Sequence, residues 1–535
     1  MIDTQKRVWS RGLVVKVTAA VIAVVGVVLS ALTAVFSGIG WDAPFEVELG
    51  SVLLVTSADS QSVEVLTNAV ATQDLSKGPQ IFWLAQALGS ILPLEPWTGS
   101  IEDPNNYALL GLSSVLLGTV GIGLLATGIG IALRSAGLGW VAFALMTTMP
   151  LWVGLSAVDY RDTQVASGLA AVSAAGVLLI TNPRTRAILY AAGGFAAVGA
   201  YLAIGGRSGS VLLLIVLLAW IVGTTLIVRR NDLKVALIHS ALVAAGALVG
   251  AVLAVASHPI GRYSPIAWLV EAVEFASANP NVMLVRVMGQ NVTSSESPWW
   301  YVPAWLIAQL PLLTLVVVAL VAVGFFWWKP RSRRGSPTAT AVILLLGQAV
   351  ALPTLVLLAR PNIYDGIRHF LFMIPALFGL LAVAAWSLRG RRPLRSTVNH
   401  PLGTAAILWT LIAVAALSAF ASARWYPYSY AFVNPVAGAI KEPRIWEYDY
   451  WGLATREAIS QLETTTGASE IFIRPSARSA LPFGGRDFED YLEDPSGRWA
   501  GVTFFRFDAE LPQQCEPTIV ISRDGIPLAE AGTCS

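Results

Sequence analysis

Three carboxylates follow the first long apolar run at close spacing. In GIGWDAPFEVE, residues 38–48, Asp42, Glu46 and Glu48 stand beside Trp41 and Pro44, directly after the run Val14 to Phe36. Asp42 is thereby placed at the surface of a bilayer, where a carboxylate is costly to desolvate and useful once it is held. Such a group can take a proton from a hydroxyl while another group is moved onto that oxygen. An acid in a solvated turn is the competing explanation. A second cluster, DYRD, carries Asp159, Arg161 and Asp162, and two acids around an arginine can hold a metal ion, orient a hydroxyl or pair among themselves. A third, RPNIYDGIRHF at 360–370, holds Arg360, Tyr364, Asp365, Arg368 and His369. Arg368 and His369 fall where the run FLFMIPALFGLLAVAAW begins, so at least one of them is expected to face protein rather than lipid. A guanidinium in that position can grip a phosphate with two parallel hydrogen bonds, and snorkelling to the interface is the alternative.

These residues can act together only if the chain brings them to one place, and its composition limits how. Of 535 residues, 55% are hydrophobic and 13% charged, far too apolar for a soluble globule around one core. A helix satisfies its own backbone in hydrocarbon and needs about 20 apolar residues to cross it. Eleven runs of that kind appear, near 14–36, 108–133, 138–157, 164–181, 187–205, 210–228, 235–256, 302–328, 338–358, 367–388 and 402–422.

Basic residues collect in cytoplasmic loops, and they test this count. With the amino terminus inside, Lys6, Arg7, Arg11 and Lys16 share one side with Arg134, Arg184/Arg186, Arg229/Arg230/Lys234, the group 329–334 and the group 389–395. The opposite loops hold the acids, and Lys77 is the only base in the first of them. An odd number of spans then puts 423–535 outside. The formal net charge of +2 says little beside that distribution.

The outer segments are larger than helix connections require. Residues 37–107 include PQIFWLAQALGSILPLEPW, which has the pattern of a helix lying in the interface. Residues 257–301 contain WLVEAVEFASANPN, then Trp299, Trp300, Tyr301 and Trp305 as an expected aromatic belt. In the tail, EIFIRPS, WAGVTFFRF and PTIVISRD alternate as short strands, so 441–535 is expected to form a small α/β domain. Cys515 and Cys534, the only cysteines, both lie in this outer tail, where an oxidising compartment permits a disulfide; two free thiols are the alternative. The sequence carries no phosphate-binding glycine loop, no HExxH and no CxxC, and His239, His258, His369 and His400 are too scattered for a metal site.

Six segments taken in order resemble one family. GIGWDAPFEVE and GLSAVDYRDTQVASG are similar to the first- and second-loop acidic segments of GT-C superfamily membrane glycosyltransferases, in the protein O-mannosyltransferase and lipid A aminoarabinose transferase branch (glycosyltransferase family 39-like). ESPWWYVPAWLIAQLPLL, NIYDGIRHFLFMIPAL, YPYSYAFVNPVAG and YDYWGLATREAI resemble segments of its bacterial members. The resemblance implies a polytopic α-helical membrane protein of eleven transmembrane helices with a small C-terminal extracytoplasmic domain. It divides the chain into a catalytic membrane module, 1–425, and a domain, 426–535. It implies an enzyme of the cytoplasmic membrane that moves a sugar from a polyprenyl-phosphate donor to a hydroxyl of a glycan, protein or lipid by inverting displacement. Its partners would be that donor, membrane lipids and the acceptor, with no nucleic acid, and a divalent metal stays open as a cofactor.

By the same resemblance Asp42 matches the catalytic base and Asp162 the second-loop acid. Arg368, His369, Arg161 and Arg360 are candidates for the donor phosphate, and Trp41, Tyr364, Asp365 and Asp159 for the surrounding pocket. The family's first loop usually carries Asp followed by Glu, whereas Ala43 stands second here, so Glu46 or Glu48 is the candidate replacement. A non-catalytic relative stays open for that reason, and a transporter or flippase is the third class. The gathering of charge at the outer face counts against a transporter, which more often carries it in mid-span.

Overall fold

The computed structural model describes residues 2–56, 76–180, 185–277, 282–326, 336–389, 402–439, 445–466, 470–487, 499–506 and 509–534. Among them, eight helices are long and apolar enough to cross a membrane unaided. Two bent helix pairs, Ala136–Thr148 with Pro150–Val158 and Tyr301–Gln309 with Leu312–Gly324, are further crossing candidates, and Met373–Ser387 is a shorter apolar helix. Each of the eleven predicted runs overlaps one of these segments.

The helix starts follow from local chemistry. Asp103 accepts from the Asn105 N–H, Ser135 from Leu138, Asp232 from Val235 and Ser336 from Ala339, each satisfying a donor that the first helical turn leaves open. Prolines stand in the first turn at Pro104, Pro150 and Pro337, where a missing N–H costs nothing.

Two predicted spans are not straight. The third bends by 65° where Thr148 gives way to Pro150. The run 302–328 turns by 116° between Gln309 and Leu312, across Pro311, so its first part, Tyr301–Gln309, leaves the direction of the span. This corrects the expected belt as well. Trp299 is exposed, but Tyr301 and Trp305 are buried, and Trp305 packs on Trp446 with ring centroids 4.7 Å apart. A short antiparallel hairpin, β1 Leu284–Val287 with β2 Gln290–Thr293, stands just before this run.

Small residues let the helices approach, the usual means of packing where lipid removes the hydrophobic drive between them. Tyr160–Ile180 lies at the centre, and its membrane-crossing window is entirely buried by protein, whereas only 28% of the window in the first span is. Gly121 faces Ser167, and Gly168 faces Gly199 and Ala203, so closely that a Cβ at any of these glycines would strike backbone. Asp162 stands at one end of the central helix, and Arg229 caps the carbonyl of Leu179 at the other, 2.8 Å away. Among the described residues, Arg229 and Asp162 thus stand at opposite ends of this helix.

The carboxy-terminal domain caps the Asp162 end. Its strands are β3 Glu470–Arg474, β4 Gly485–Asp487, β5 Trp499–Phe504, β6 Cys515–Arg523 and β7 Ile526–Cys534, arranged as one sheet in the order β4-β3-β5-β7-β6. β3 is parallel to β4 and β5, and β7 is antiparallel to β5 and β6. Helix Thr455–Thr466 buries Ala458, Ile459 and Leu462 against the rest of the protein. Cys515 and Cys534 face each other in the β6–β7 register and form a disulfide.

A polar seam joins this domain to the bundle. Arg456 donates to the carbonyls of Val35 and Ser37 at 3.1 and 2.9 Å, closing the end of the first span with a cation, as the helix dipole favours. Asn434 donates to the Ile307 and Leu310 carbonyls where the chain turns by 116°. Gly38 lies against the Leu453 carbonyl, where any side chain would collide.

Candidate functional site

Asp42 precedes the helix Ala43–Leu53 at the N-cap position, with Pro44 in the first turn, yet its side chain makes no capping hydrogen bond. The carboxylate turns toward Arg368 instead, with Oδ2 3.2 Å from Nη1. It is 47% exposed and lines a cavity of about 260 Å³. The walls bring together Trp41 and Glu46 from the first loop, Asp159 and Arg161 from the second, Arg207, Tyr364 and Arg368, with Trp451 from the carboxy-terminal segment. Five segments far apart in sequence thus meet at one end of the bundle.

Glu46 is tied on both oxygens. Lys77 Nζ lies 2.8 Å from Oε1, while Arg161 Nε and Nη2 both lie 2.7 Å from Oε2. Burial alone would push this carboxyl up, but the Arg161 and Lys77 charges overcome it and hold it down at about 2. So weak a base is a poor acceptor for a hydroxyl proton, and in this structure Glu46 fixes two cations. Arg161 spends its remaining nitrogen on the Gly78 carbonyl, at 2.9 Å, and its guanidinium lies 4.9 Å from the Phe82 ring centre. It is thereby less available to a phosphate than expected. The ordinary value for Glu46 is 4.5, so its stabilisation is complete above that pH and is lost as pH falls from 4.5 toward 2. Thermal melts of the detergent-solubilised protein should show wild type exceeding Glu46→Gln at pH 6, with the gap smaller by about 2 kcal/mol at pH 3. A pH-independent gap would contradict the ion-pair account.

Asp162 holds Arg207, with Oδ1 2.8 Å from Nε and Oδ2 3.4 Å from Nη2. Asp162 does not line the cavity, but Arg207 does, and its side chain is 36% exposed. Asp159 accepts from the Asp162 N–H at 3.1 Å through Oδ1, and its buried Oδ2 has no hydrogen-bond partner among the described residues. Burial first, and the neighbouring Asp162 carboxylate second, push the Asp159 carboxyl well above the usual range.

Arg368 is buried, as the sequence required of it or its neighbour. Asp365 meets its Nη2 at 2.9 Å, and the rings of Tyr364 and Trp451 lie 5.2 Å from its guanidinium. Asp365 adopts a left-handed backbone, φ 57°, followed by Gly366 at 64°. Short polar side chains tolerate that region better than most. It is buried and stands behind Arg368 rather than in the cavity wall. His369 also lies behind the wall, with its ring 4.7 Å from Tyr364 and edge-on. Arg360 is exposed at the end of helix Leu352–Leu358 and does not line the cavity.

Sequence reasoning passed over Arg207, Arg506 and Trp451. Arg207, in GGRSGS between two apolar runs, is the only charge in that short connection, and that was its signal. Arg506 offered no such signal. Among the described residues, no three His, Cys, Asp or Glu side chains gather closely enough to hold a metal ion.

The fold and this cavity define a multi-pass helical membrane protein whose extramembrane domain closes over a charge-lined chamber at one end of the bundle. No family model matches the chain, and no curated protein matches it. Among solved structures it is similar to ArnT from Cupriavidus metallidurans bound to undecaprenyl phosphate, with 14% identity, a TM-score of 0.48, and 96% of this chain and 97% of that chain covered. It is also similar to the oligosaccharyltransferase AglB from Archaeoglobus fulgidus in complex with an inhibitory peptide and a dolichol-phosphate. There the identity is 12%, the TM-score 0.45 and the coverage 93% of this chain and 70% of that chain.

Proposed function

We propose that this protein is a glycosyltransferase of the GT-C type that moves a sugar from a polyprenyl-phosphate donor to a hydroxyl acceptor at the outer face of the cytoplasmic membrane. Its amino terminus would be cytoplasmic and its carboxy-terminal domain outside, as the segregation of basic and acidic loops supports. The observation that carries the proposal is the half-exposed carboxylate of Asp42, fixed by Arg368 in a chamber that also holds the accessible guanidinium of Arg207.

In the displacement, the acceptor oxygen bonds to the anomeric carbon as its proton passes to Asp42. The bond from that carbon to the phosphate oxygen breaks, and the electron pair leaves with polyprenyl phosphate. Arg207 meets the charge growing on that phosphate, and Asp162 keeps Arg207 aimed. Arg368 keeps Asp42 in place. Asp159, which lines the chamber, is suited to a hydroxyl of the bound sugar.

Purified protein in lipid nanodiscs, given a panel of radiolabelled polyprenyl-phosphate monosaccharides and an envelope extract as acceptor, should release polyprenyl phosphate and label a hydroxyl-linked product. Envelope glycans from a deletion strain, read by mass spectrometry, should lack the same linkage. An intact envelope together with no donor turnover would remove the proposal. Movement of an intact donor across the bilayer would replace it with a flippase.

A further inference from the structure

The chamber does not end at the membrane module. Arg506, just beyond β5, is buried in the seam between domain and bundle, with its Nη2 2.7 Å from Asp365 Oδ1 and its Nη1 donating to the Tyr450 carbonyl at 2.6 Å. The other oxygen of Asp365 meets Arg368 Nη2 at 2.9 Å, and the other terminal nitrogen of Arg368 meets Asp42. Four charges of alternating sign, Arg506, Asp365, Arg368 and Asp42, therefore form one line from the carboxy-terminal domain to the exposed carboxylate. The same stretch clamps Asp42's neighbour. The Trp41 N–H donates to the Trp451 carbonyl at 3.1 Å, its ring packs edge-on against Phe504 at 6.1 Å, and the Arg506 guanidinium stands 5.4 Å from that ring.

We propose that Arg506 is a positioning residue for the transfer reaction: by holding Asp365 against Arg368 it sets the place of Asp42, so that the carboxy-terminal domain completes the catalytic chamber. The physical reason is competition. Asp365 is buried, and without Arg506 one of its oxygens has lost its cation. The carboxylate then draws Arg368 toward itself, because an unpaired buried charge is far costlier than a paired one, and Arg368 releases Asp42. A base displaced by about 1 Å loses on the order of 100-fold in rate without losing substrate affinity. Arg506 touches neither donor nor acceptor, so its effect belongs in kcat rather than KM.

This rests on the transferase reading of Asp42, and the test separates the two. Full-length wild type, Arg506→Gln, Arg506→Lys and Arg486→Gln are compared in nanodiscs; Arg486 sits on the exposed side of the same domain, paired with Glu470. Hydrogen exchange of the peptide spanning 38–53 should be faster in Arg506→Gln than in wild type, while strands β5 to β7 stay protected. The kcat for transfer should fall by about 10- to 100-fold with KM for the donor within about threefold. Arg506→Lys should lie between it and wild type, and Arg486→Gln should match wild type. Unchanged exchange of 38–53, or an unchanged kcat in folded Arg506→Gln, overturns the inference. Should Arg506→Gln fail to fold, Arg506→Lys decides by the same readings, because it keeps the charge and loses only the fork. A wild type that transfers no sugar removes the transferase reading, and the exchange result then decides by itself whether the domain braces the first loop.

Discussion

Asp42→Asn is expected to lower the transfer rate by about 10²- to 10⁴-fold while leaving donor binding and fold in place. Asparagine matches the shape of aspartate and can still accept from Arg368 Nη1, so the chamber keeps its geometry and loses only its proton acceptor. The position is half exposed, so the change buries no unpaired group. Initial rates with radiolabelled donor in membrane vesicles, together with donor binding to the purified variant, separate the two effects. Wild-type rates in Asp42→Asn would place the base elsewhere. The neighbouring acids are poor substitutes: two cations hold the Glu46 carboxyl down at about 2, and Glu48 pairs with Arg478 at 2.6 Å.

Arg207→Gln is expected to reduce kcat by on the order of 10²- to 10³-fold, as does removal of a preorganised donor to a developing oxyanion elsewhere. It should also raise KM for the donor, because the phosphate is charged in the ground state too. Arg207→Lys should lose less, since an ammonium still faces Asp162 and the phosphate but cannot make two parallel bonds. Release of labelled polyprenyl phosphate as a function of donor concentration measures both terms. A change in KM alone would mean that Arg207 binds the donor without assisting departure of the phosphate. Asp162→Asn should move in the same direction by a smaller factor, because it loosens Arg207 without removing it.

Ala43 does not leave the chamber short of acids. It occupies the first turn of the helix after Asp42, and one turn further Glu46 enters the same wall. Asp159 supplies a second carboxyl group to the wall from another loop, so the count of first-loop acids is a poor guide to what surrounds the substrate.

The spans and the uneven placement of basic and acidic residues between them were legible in the order of residues alone. Those are local properties, because hydrocarbon requires a helix to satisfy its own backbone over about 20 residues. Asp42 and Arg368 were marked in the same way, because a charge at the edge of an apolar run stands out wherever the run folds. Which charge answers which emerged only on assembly. Asp162 finds Arg207 across 45 residues and Asp365 finds Arg506 across 141, while Arg360, as prominent in sequence as Arg368, is left outside the chamber. The burial of Trp305 belongs to the same class, for its ring packs on Trp446 from far along the chain. Burial sets the strength of an ion pair, and burial is a property of the assembled molecule rather than of any segment.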